Sequence, residues 1–95
     1  DAQNIEKNTP LHYTCKNGNM DLTKYLIEKG ADVDAQNIEK NTPLHYACEN
    51  GNIDIVKCLI ENDANIDILD RENNAPLHIA CNNNNEDIVK YLVEE

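Results

Sequence analysis

The chain has 95 residues, 18 of them acidic and 8 basic, for a net charge of −10. That length supports one small domain with a modest core, and the absence of serine excludes serine-nucleophile chemistry. No stretch reads as a transmembrane span or a secretory signal peptide, and the negative charge argues against binding nucleic-acid phosphates or anionic membrane surfaces.

Internal repetition sets the architecture. Residues 1–33 align without gaps on residues 34–66, with 23 of 33 positions identical, and residues 67–95 follow the same template. Within the first unit, Thr9 is placed to cap a helix that opens at Pro10, where no N–H is needed. Leu11, Thr14 and Cys15 then share one helical face, and Asn17-Gly18 ends the helix. Asn19 can cap a second helix, with Asp21 near its positive end. The spacing of Leu22, Leu26 and Ile27 predicts the buried stripe of that helix, and Gly30 closes it. From Ala31 to the level of Lys40 the pattern predicts an extended polar arm. Neither short helix is stable alone, so neighbouring units must supply the core by stacking.

The anchors recur as Thr9-Pro10-Leu11-His12, Thr42-Pro43-Leu44-His45 and Ala75-Pro76-Leu77-His78, with Cys15, Cys48 and Cys81 three residues after each His. With the 33-residue period and Gly30-Ala31-Asp32-Val33, this pattern resembles the ankyrin repeat over the whole chain. The resemblance implies an all-α solenoid of stacked antiparallel helix pairs with projecting β-hairpin-like loops. Its repeats would be 1–33, 34–66 and 67–95. The missing initial Met and the lack of polar capping repeats lead us to expect an excerpt of a longer array. They also lead us to expect exposure of Leu11 and Leu22 at one end and of Leu77, Ile88 and Leu92 at the other. Lys7, Lys40 and Asn73 stand where the family favours glycine, and since lysine resists positive φ the expected turn departs from the usual one. Ala75 lacks the capping hydroxyl of Thr9 and Thr42, which marks the third repeat as the weak one. The family also carries a hydroxylated Asn in the loop; Asp34 and Asp67 occupy the matching positions here, which speaks against that modification.

The pairs His12/Cys15, His45/Cys48 and His78/Cys81 have the spacing of zinc ligands. Stacked helices lie roughly 10 Å apart, too far for a shared coordination sphere or for disulfides among the three cysteines. The resemblance gives these His a role in tying loops and neighbouring repeats together, and the Cys position a small buried residue. Cys58 lies off this series, at the position of Tyr25 and Tyr91, a place compatible with partial exposure. Reduced thiols point to an intracellular, cytoplasmic setting. Asp21, Asp54 and Asp87, with Glu28, Glu61 and Glu94, repeat as a solvated face and not as a catalytic pair. No phosphate loop exists, and no metal or cofactor is implied.

By resemblance, the contact surface comprises the hairpin tips and the concave face of the first helices. The matching positions are Ile5, Glu6, Asn8, Lys16 and Asn17 in the first repeat, and Ile38, Glu39, Asn41, Glu49 and Asn50 in the second. In the third they are Arg71, Glu72, Asn74, Asn82 and Asn83, with Leu69 adding individuality. Tyr13, Tyr46 and Ile79 follow the template His and are expected on the same side, where an aromatic ring makes a good anchor; the alternative for Tyr13 and Tyr46 is packing between repeats. The identity of residues 1–13 and 34–46 fits recent duplication, or a repetitive partner. The expected function is a non-enzymatic interaction module for a protein carrying a basic patch. Its alternatives are a spacer or self-assembling rod joined end to end and, more distantly, a metalloenzyme built on the His-x-x-Cys pairs.

Overall fold

The structure, a computed structural model, describes residues 6–94. Six helices follow one another: α1 (Pro10–Asn17), α2 (Met20–Glu28), α3 (Pro43–Asn50), α4 (Ile53–Glu61), α5 (Pro76–Asn82) and α6 (Glu86–Glu94). Helices α1, α3 and α5 stack in one layer, and α2, α4 and α6 in the other. No strand occurs among the described residues.

Helices α1 to α4 each start where a side chain meets free N–H groups. Thr9 and Thr42 accept from His12 N–H and His45 N–H, both at 3.3 Å, while the His rings return the bond by accepting from the threonine N–H groups. These reciprocal pairs are capping boxes with histidine in place of the usual glutamate. Ala75 keeps only half of one: Ala75 N–H reaches His78 Nδ1 at 2.9 Å, and His78 N–H falls back on the Ala75 carbonyl. Asn19 and Asn52 cap the second helices through their side-chain oxygens. The α1–α2 and α3–α4 turns need a left-handed residue, supplied by Gly18 at φ 74° and Gly51 at φ 86°; in repeat 3 Asn84 adopts it at φ 58°.

The core lies between the helix layers and is deepest in repeat 2, where Leu44, Ala47, Cys48, Ile55, Val56 and Leu59 are fully buried. Leu11 and Cys15 close it on one side, and Ala80, Ile88 and Leu92 on the other. Three expectations need correction here. Leu22 is 49% exposed and does not join a buried stripe, which agrees with the expectation for an uncovered first repeat; Ile55 and Ile88 hold the same register but have a preceding repeat to pack on. Thr23 is the buried residue of α2, its hydroxyl 2.9 Å from Thr14 Oγ1 and 2.8 Å from the Asn19 carbonyl. Leu11, Ile88 and Leu92 are buried and Leu77 half-buried, because each terminal helix pair still packs on its own repeat and one neighbour. Cys81, unlike Cys15 and Cys48, is exposed, whereas Cys58 is buried.

The loops form tight hairpins that project from the helix layers. Lys40 N–H closes a turn on the Asn37 carbonyl at 2.9 Å, and Asn73 N–H closes the matching one on Asp70 at 3.0 Å. Lys7, Lys40 and Asn73 all sit at φ 64°, so the lysines do not alter the turn as expected; they accept the strained conformation. Successive tips are joined by backbone bonds from Ile38 N–H to Glu6 O (2.9 Å) and from Arg71 N–H to Glu39 O (3.0 Å).

Candidate functional site: the concave groove

The histidines set the geometry of the concave side. Because Nδ1 of His12 accepts the Thr9 N–H, the ring proton sits on Nε2 and is donated to the Asn41 carbonyl of the next loop at 2.9 Å. His45 repeats this with Thr42 and the Asn74 carbonyl at 2.8 Å. Both imidazoles are pushed below the usual histidine range by burial, and the carbonyl bonds only partly offset this. Each ring therefore pins a helix start to the following loop as a neutral donor, which is the tying role the resemblance implied.

The cysteine three residues on points elsewhere in energetic terms. Burial pushes the Cys15 and Cys48 thiols up to about 12 and raises that of Cys58 as well. These are apolar packing groups held as thiols. Among the described residues, no three His, Cys, Asp or Glu side chains converge in a way that could hold a metal ion.

Between the hairpin tips and the first helices lies an open groove of about 680 Å³ spanning repeats 1 to 3. Nine of the expected contact residues line it: Lys16, Glu39, Asn41, Tyr46, Glu49, Glu72, Asn74, Asn82 and Asn83. Ile79, expected on this side, is there too. Tyr46 is half-buried, edge-on to His12 at 5.8 Å between ring centroids, with Lys16 Nζ 5.8 Å from its centroid.

The other expected residues lie around this groove without lining it. Ile38 and Leu69 are exposed apolar tips, and Arg71 caps the tip ladder by donating its Nε–H to the Ile38 carbonyl. Glu6, Asn8, Tyr13 and Asn17 belong to the first repeat, with Asn8 accepting from Asn37 Nδ2 at 2.9 Å. Asn50 donates to the Lys16 carbonyl across the repeat boundary at 3.2 Å, a bond that Asn83 repeats toward Glu49 at 3.4 Å. Ile5 lies outside the described residues.

Three groove residues were not anticipated as contacts: His45, His78 and Asp70. The available signal for Asp70 was its register with Asn37, since Asp and Asn side chains shape turns by accepting backbone N–H groups. Asn37 is 6% exposed and holds its hairpin with Oδ1, which accepts from Glu39 N–H at 3.0 Å and Asn41 N–H at 2.9 Å.

A stack of helix pairs with a tip-bonded ladder of hairpins and a concave groove defines a helical repeat module. The family model described as ankyrin repeats (3 copies) matches residues 1–70, and a second, ankyrin repeats (many copies), matches residues 53–93. The chain belongs to the ankyrin-repeat family, whose members are generally protein–protein interaction modules and typically non-enzymatic. A search among curated proteins found no match. None of the helices among the described residues is long and apolar enough to cross a membrane.

Proposed function

We propose that this chain is a non-enzymatic interaction module that takes a basic segment of a protein partner into its concave groove. The observation that carries this reading is the charge of the groove walls, where Glu39, Glu49 and Glu72 are exposed and Lys16 is the cation among the lining residues. Tyr46 and Ile79 provide apolar area between the charges. The capping boxes, the His-to-carbonyl bonds and the tip ladder order this surface before any partner arrives, so binding sacrifices little conformational freedom of the module. Carboxylates along such a wall steer and select a cationic partner more than they add raw affinity.

The test is calorimetric titration with a lysine-rich peptide and an acidic peptide of equal length. The lysine-rich peptide should bind, and its affinity should fall at least about tenfold as salt rises from roughly 0.05 to 0.5 M and screening shortens to a few ångströms. Salt-independent binding, or equal binding of the acidic peptide, would contradict the proposal.

A further inference from the structure

The two repeat junctions are built from nearly the same sequence, yet they end differently at the groove. In the first junction Asn37 uses every polar valence of its side chain. Its Oδ1 takes two loop N–H groups, and its Nδ2 donates to Asn8 Oδ1 at 2.9 Å and to Tyr46 Oη at 2.8 Å. Asp70 occupies the same position in the second junction. Its Oδ1 likewise accepts from Glu72 N–H and Asn74 N–H, both at 2.9 Å. The second oxygen lacks the partners of the first junction: Ile79, which has no hydroxyl, holds the position of Tyr46, and Asn41, which stands in the place of Asn8, makes no side-chain bond to it. Among the described residues, no donor reaches Oδ2, and because no buried side-chain oxygen or nitrogen there lacks a partner, Oδ2 is the atom through which this 9% exposed side chain opens to the groove.

The surroundings differ in the same direction. Lys16 stands over the Tyr46 ring in the first junction, and Glu49 replaces it one repeat later. His45 faces Asp70, but burial disfavours its charged form and both its nitrogens are engaged. Among the described residues, the second junction therefore holds a carboxylate whose open oxygen faces the groove and meets no protein cation. A carboxylate so placed can accept a charge-assisted hydrogen bond from a cation delivered into the groove.

We infer that the second junction is a receptor for one lysine side chain of the partner, with Asp70 Oδ2 as acceptor, Ile79 against the aliphatic stem, and Glu49 and Glu72 at the rim. A single free oxygen suits the point charge of an ammonium group better than the two-pronged guanidinium, which needs both carboxylate oxygens. The first junction offers no such place, because Tyr46 and Asn8 already satisfy Asn37. This inference rests on the reading of the groove as a site for a basic segment, and it names the residue that chooses the cation.

The decisive variant is Asp70→Asn, which keeps Oδ1 for the two loop N–H groups and installs the residue already present at position 37. Its helical circular dichroism and melting should remain close to those of the parent chain. Calorimetry with the lysine-rich peptide should then show a loss of about tenfold or more for Asp70→Asn, the scale of a charge-assisted hydrogen bond. The rim variant Glu72→Gln should lose clearly less. In the parent chain the Asp70 carboxylate carbon resonance should move as the peptide is added. Unchanged affinity in Asp70→Asn, with Glu72→Gln weakened, would overturn the lysine receptor and leave the acidic groove standing. No binding of the peptide by the parent chain would overturn both.

Discussion

Replacing Ala75 by threonine should stabilise the protein, and the structure sets the size of the gain. Ala75 already has the extended backbone of an N-cap, with φ −82° and ψ 162° against −97° and 167° at Thr42. A threonine therefore fits without rearrangement, and its Oγ1 can take the His78 N–H as Thr42 takes that of His45. An N-cap hydroxyl is worth about 0.5–2 kcal/mol over alanine. The gain should lie in the lower half of that range, because His78 N–H already has a 2.9 Å bond to the Ala75 carbonyl that weakens when the cap forms. About 0.5–1 kcal/mol corresponds to roughly 2–8 °C for a chain of this size. Thermal melting by circular dichroism reads this directly. A melting point unchanged or lowered in Ala75→Thr, with the helical signal intact, would show that the backbone bond fully replaces the side-chain cap.

Three further outcomes are expected. Burial lowers the pKa of His12 and His45, so the unfolded chain takes up protons first; their contribution to stability is complete above about pH 6.5 and is lost as pH falls through the lower folded values. Imidazole nitrogen shifts should show the Nε2–H tautomer and protonation midpoints below about 6.5 for both rings; midpoints above it would refute the burial argument. Lys40→Gly should raise the urea midpoint by relieving φ 64°, a gain of about 0.5–1 kcal/mol, and a lowered midpoint would count against strain there. Asn37→Ala removes the acceptor of the Glu39 and Asn41 N–H groups in a part-buried loop and should cost about 1–3 kcal/mol; urea denaturation showing almost no loss would remove Asn37 as the organiser of the hairpin.

The parts legible in the sequence are those decided locally. Thr9, Pro10, Gly18 and Asn19 announce the helix ends because capping and left-handed turns depend on one or two side chains and their own backbone. Leu22 is exposed, as the lack of a preceding repeat implies, and not part of the buried stripe, because periodicity shows which face it occupies and not whether a neighbour covers that face. The conformation of Lys40 was misjudged for a related reason. A lysine disfavours positive φ by itself, but the Asn37 side chain and the tip-to-tip bonds over-determine the loop and hold it there. The groove was half legible. Glu39, Tyr46, Glu49 and Glu72 could be placed by matching repeat positions. The open oxygen of Asp70 emerges only when the partners of Asn37 are seen and Ile79 is found where Tyr46 stood.

The concave groove as the seat of recognition is most directly tested by mapping the lysine-rich peptide onto the amide spectrum of the assigned protein. The expected result is shifts concentrated at Glu39, Tyr46, Glu49, Asp70 and Glu72, with the exposed lysines of the second helices, Lys24, Lys57 and Lys90, left unmoved. Shifts gathered instead along α2, α4 and α6, or at the exposed Leu22 and Val93, would contradict it.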